Sequence, residues 1–232
     1  MQITEITKPT IRNLSKELEP FANWLRTGPK SFKAIADKLR NVLNAIGIDT
    51  DVNFLQSDHV DSGDMNMNAY YDPEADEQED APPFGIDLVF SKKDNEVDFS
   101  DEGIDVIITR IDDVLKHEII HQQQYQKRDW LPGQRGYVFK QGRELEYMSQ
   151  PDEIEAYAVN IADELTRAAG SKDKAYDLLR KAGDSAKLRN HLEQFISPNL
   201  FAYFVLFGFD TTHPVLKNCL LYTSPSPRDQ EA

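Results

Sequence analysis

The stretch Ile104-Asp-Val-Ile-Ile-Thr-Arg-Ile-Asp-Asp-Val-Leu-Lys-His-Glu-Ile-Ile-His121 carries two patterns at once. Ile104, Ile107, Ile108, Ile111, Val114, Leu115 and Ile119 recur at three- and four-residue intervals, which predicts one helix, Ile104 to Lys127, with a broad apolar side. The stretch closes on His117-Glu-Ile-Ile-His121. Residues four apart share a helix face, so both imidazoles can reach one metal ion, while Glu118 can reach water on that ion. At about 100° per residue Glu118 falls inside the apolar stripe and the histidines run along its edge. A helix with no use for a carboxylate at 118 would carry Ile or Leu there, because burying an unpaired charge is costly. The pattern points to hydrolysis with zinc as cofactor, Glu118 acting as general base.

A catalytic zinc takes three protein ligands and keeps a fourth position for water. No third histidine follows at the extended spacing, since 124 is Gln and 127 is Lys, so a downstream carboxylate is expected. Glu153 and Glu155 are the candidates. They sit where Ser149-Gln-Pro-Asp-Glu opens a helix, with Ser149 as its expected cap, Pro151 in the first turn, and Ile154, Ala158, Ile161 and Leu165 along one side.

Here the chain resembles the gluzincins, zinc peptidases with His, His and Glu ligands. Glu153-Ile-Glu-Ala-Tyr157 is similar to the Glu-x-x-Ala-Asp of several of their families and to the Glu-x-Glu-Ala-Asn of the ImmA/IrrE-type peptidases. The resemblance implies metal ligands His117, His121 and Glu153, with Glu155 as the alternative, and a peptide or protein substrate. It implies an α+β, zincin-like metallopeptidase domain of minigluzincin type, with a small, mainly antiparallel sheet, the motif helix and a helical C-terminal half. Tyr157 departs from the pattern, standing where those families place Asp or Asn against a ligand histidine, so that contact must come from elsewhere or from the phenol. Tyr157, Tyr147, Tyr125 and His213 are the candidate donors to an oxyanion. His59, His191 and His213 otherwise read as surface or core histidines.

Ahead of the motif, Ile11–Leu25 and Ser31–Ile46 read as helices separated by Thr27-Gly-Pro-Lys. Val52–Leu55, Asn66–Tyr71 and Phe84–Phe90 read as strands, the last expected to lie along the cleft and offer its edge to an extended peptide. Asp72 to Pro83 is rich in acids and empty of bases, lacks the Gly turn and bidentate Glu of a calcium loop, and reads as a solvated, mobile loop; the alternative, that its carboxylates favour cationic substrates, is one that composition alone does not show. After the motif, Trp130–Gly136 breaks the chain. Helices are expected over Lys172–Ala182 and Ser185–Phe195, then an apolar segment, Leu200–Phe207.

The chain has 232 residues, 40% of them hydrophobic, enough for one substantial core, so a single domain over residues 1–218 is expected, with 1–28 as a helical extension. A net charge of −14 argues against nucleic acid or an anionic membrane as partner. No apolar run is long enough to span a bilayer and no basic-then-apolar leader opens the chain, so a cytoplasmic location is expected. The one cysteine, Cys219, begins Cys219-Leu-Leu-Tyr-Thr-Ser-Pro-Ser-Pro-Arg-Asp229, which resembles the translation of a transposase adapter from sequencing libraries. Residues 219–232 are therefore set aside as a non-native tail, and thiol chemistry with them. Two competing readings stay open from sequence: a gluzincin-type domain used for binding or assembly, and a zinc hydrolase of a non-peptide amide.

Overall fold

The computed structural model describes residues 14–129, 143–184, 186, 191 and 197–206. Tail residues 219–232, His213, the break at 130–136 and most of the helix expected over Ser185–Phe195 lie outside them. The architecture is α+β. The chain divides into two compact units, residues 1–122 and 123–232.

The first unit opens with α1 (Leu14–Glu17) and α2 (Glu19–Leu25). The sequence predicts one helix here; Pro20, which lacks an N–H, falls in the first turn of α2 and splits it. A two-residue strand β1 (Lys30–Ser31) leads into α3 (Phe32–Ala45), capped by Ser31, whose Oγ accepts from the Ala34 N–H at 3.4 Å. Gly47, at φ 85°, reverses the chain, and the Asn44 side chain accepts the Thr50 N–H at 3.1 Å as β2 (Thr50–Ser57) begins.

The strands β3 (Met65–Tyr71) and β4 (Phe84–Ser91) follow, then β5 (Glu96–Val97), which pairs antiparallel with β1. The three-stranded sheet has the order β2-β4-β3. β4 is parallel to β2 from Thr50↔Phe84 to Ser57↔Ser91, and antiparallel to β3 from Met65↔Phe90 to Tyr71↔Phe84. Two of the three pairings in the unit are thus antiparallel. The expectation that Phe84–Phe90 offers a free edge is overturned, because β4 is the central strand and both its edges are taken. Its near-continuous burial is what a strand covered by neighbours requires.

Asp72 to Pro83 also differs from the loop expected. It contains α4 (Pro73–Gln78), started by the Asp72 carboxylate, which accepts from the Glu74 and Ala75 N–H groups at 2.9 and 3.2 Å. Pro73 suits the first turn, and Glu74 and Asp76 lie at the positive end of the helix dipole. Acid-rich composition here builds a helix start.

The motif helix α5 runs Asp101–Gln126. Its Ile104, Ile107, Ile108, Ile111 and Leu115 join Phe21, Leu39, Leu43, Ile86, Leu88 and Phe90 in one core, with Phe32 and Phe90 stacked at 4.2 Å. That contact fixes α3 against the middle strand.

The second unit contains α6 (Glu144–Met148), α7 (Pro151–Ala169), α8 (Lys172–Asp184) and α9 (Pro198–Leu206). Ile154, Ala158, Ile161 and Leu165 of α7 form its core with Met148, Ala175 and Leu200. α7 ends at Gly170 in the left-handed conformation, φ 78°. The Ser149 cap is corrected: the N-cap is Gln150, without a side-chain bond, and Ser149 instead ends α6, its Oγ donating to the Glu146 carbonyl at 3.0 Å. The turn needed between the two helices shifts the start of α7 by one residue. Among the described residues no helix is long and apolar enough to cross a membrane.

Candidate metal centre

His117 and His121 project from successive turns of α5, and the Nε2 atoms stand 3.0 Å apart, with ring centroids at 4.7 Å and planes at 80°. Zinc–nitrogen bonds of about 2.0–2.1 Å at a tetrahedral angle set two ligand nitrogens about 3.3 Å apart. The two nitrogens lie within hydrogen-bond reach of each other, a separation close to the one a single ion would require. His117 is buried, 7% exposed, while His121 and Glu118 are half-buried. Partial burial suits Glu118 as a base, since a carboxylate that must exchange protons with water needs access to it.

The turn of α5 before the motif is charged and buried. Lys116 Nζ donates to Asp112 Oδ2 at 2.9 Å, and Asp112, Asp113 and Lys116 are all less than a tenth exposed. The i,i+4 spacing of Asp112 and Lys116 is readable in the sequence, but their burial is not; on an exposed helix face the same pair would be an ordinary surface contact.

Glu153 lies in the first turn of α7, 7% exposed, and Glu155 is half-buried. Gln124, itself buried, donates its Nε2 to the Asp152 carbonyl at 3.1 Å and to Glu155 Oε2 at 3.0 Å. Arg128 donates one hydrogen bond to Asp152 Oδ1 at 3.0 Å, and its other terminal nitrogen lies 2.9 Å from Oδ2 as an ion pair. Within the second unit, Gln124 and Arg128, the latter in the turn that follows α5, thus hold the first turn of α7, and the motif singles out neither. Glu155 is engaged in that clamp as an acceptor. His117, His121 and Glu153 make a group that could hold a metal ion. Two imidazoles and a carboxylate are a donor set that zinc takes, with one position left for water.

Tyr157 is half-buried on α7 and packs with Tyr147 against the core of the second unit. Tyr125 is half-buried on α5, its ring under the Arg128 guanidinium at 5.1 Å, which commits its face to that cation. His59 and His191 are exposed.

Compared with protein-family models, with curated proteins and with solved structures, the chain matches none.

Proposed function

We propose that the protein is a zinc-dependent peptidase whose ligands are His117, His121 and Glu153. The observation that carries this reading is that one ligand atom from each of His117, His121 and Glu153 lies within 4.8 Å of the others, the helix of the two histidines placing Glu118 beside them. When bound, zinc supplies Lewis acidity, making water acidic enough to ionise near neutral pH and drawing electron density from a carbonyl. Glu118 takes the proton from the attacking water on its carboxylate and passes it to the leaving amine. The Tyr157 phenol is the donor assigned to the oxyanion. Gln124 and Arg128 fix the turn that carries Glu153, so the carboxylate is oriented before substrate arrives.

Protein purified without chelator is expected to hold one zinc per chain by elemental analysis and to cleave a mixed peptide library. Glu118→Gln keeps the metal and lowers cleavage by roughly 10²–10⁴-fold. His121→Ala loses the metal, and Tyr157→Phe retains it with a lower kcat. Well-folded protein that takes up no zinc ends this reading. Zinc binding with hydrolysis of small amides but no peptides would move it to another substrate class.

A further inference from the structure

A cavity of about 590 Å³ lies against α5 within the first unit, in the size range of small-ligand sites. Gln122 and Ile119 are the α5 residues in its wall. With His117 taken as the origin, a rotation of about 100° per residue puts His121 near 40°, Glu118 near 100°, Gln122 near 140° and Ile119 near 200°. Glu118 therefore stands between the histidine pair and the cavity, and a group seated there lies next to the proposed base.

The wall has two kinds of surface. Ile48, Ala75, Pro82, Pro83, Phe84 and Ile119 make it apolar, while Asp49, Asp76, Glu79 and Asp80 add carboxylates, and no lysine or arginine takes part. None of these four acids has a basic partner among the described residues, whereas Asp37, Asp51, Asp58, Asp105 and Asp152 are each paired with a lysine or arginine. Asp76 is moreover held in place. Tyr71 Oη and Gln122 Nε2 both donate to its Oδ2, at 2.8 and 2.9 Å, which fixes the carboxylate plane and ties it to the motif helix.

We infer that this cavity receives the cationic side chain of a peptide substrate, a lysine or arginine beside the cleaved bond. The apolar wall takes the methylene stem, and the uncompensated carboxylates take the ammonium or guanidinium. This rests on the peptidase reading for its role in cleavage, but the binding it predicts does not depend on metal.

The test uses the full chain and two readouts. N-acetyl-lysine amide and N-acetyl-arginine amide are expected to bind saturably by titration calorimetry, with N-acetyl-norleucine amide weaker by on the order of tenfold and the cationic affinity falling with added salt. Glu79→Gln with Asp80→Asn, both at exposed positions, lowers cationic affinity and leaves norleucine amide unchanged. Asp49→Asn provides a second variant. Equal binding of the lysine and norleucine probes, or cationic binding indifferent to these variants, overturns the proposal. In a peptide library, cleavage without preference for lysine or arginine also overturns it while leaving the peptidase standing. Cationic binding in a protein that takes up no zinc sinks the peptidase and keeps the cavity's assignment.

Discussion

Asp94 fixes the connection between β2 and β3 from outside it. Its two oxygens accept from Ser62 Oγ at 2.6 Å and from the Gly63 N–H at 2.8 Å, and these bonds, the hydroxyl first, hold its pKa below the usual 3.8. Folding lowers this pKa, so the tether is fully present above the unfolded value and is lost as pH falls through the folded one. Protection of the Gly63 amide, the factor by which it exchanges more slowly than a free amide at the same pH, is therefore expected to be high at neutral pH and to fall below pH 3.8. Asp94→Asn should lower it at neutral pH; unchanged protection would show that Gly63 is held by something else. Single-residue chemistry was unevenly legible. The histidine pair and Glu118 could be read because a helix fixes their mutual geometry from spacing alone. Asp94 could not, since its partners lie over thirty residues away in the chain, and a contact of that separation leaves no local pattern.

The short helix α4 shows how an element can be hidden by its own composition. Asp72-Pro73 is a helix start by chemistry, an N-cap carboxylate before a residue with fixed φ, yet twelve residues dominated by acids read as solvated loop. Asp72→Ala is expected to destabilise the protein by about 1 kcal/mol, as loss of a cap does. Because Ala75 and Asp76 of α4 line the cavity beside α5, the same change should weaken binding of the lysine amide. Urea unfolding and calorimetry check the two effects; loss of stability with intact binding would show that α4 keeps its place without the cap. Longer elements were easier to read. Three strands and the motif helix emerged within a few residues of their extents, because each repeats its apolar period over several turns or pleats. What periodicity cannot carry is strand order, and the edge expected of Phe84–Phe90 failed on that ground. The run Phe84-Gly-Ile-Asp-Leu-Val-Phe90 did hold the signal, being too apolar for a strand with a wet face.

At the scale of the whole molecule, charge outweighs other influences on how stability responds to the solvent. A net −14 on 232 residues repels itself, and the ion pairs on the surface are too exposed to offset much of that. The thermal midpoint is therefore expected to rise by a few degrees as NaCl is raised from about 10 to 500 mM, where the screening length falls well below the spacing of surface charges. A midpoint that falls would show that attractive pairs outweigh the repulsion. The order of the sheet has a further consequence, which concerns the sequence of events during synthesis. β2 and β3 leave the ribosome first, joined by a short connection, and each lacks its native neighbour until residues 84–91 follow. A hairpin between β2 and β3 is the nearest pairing within reach in that interval, and it has to open before β4 can enter between them. Nascent chains from which residues 84–91 have not yet emerged should accordingly show β2–β3 cross-strand pairing, and that pairing should disappear once β4 has emerged.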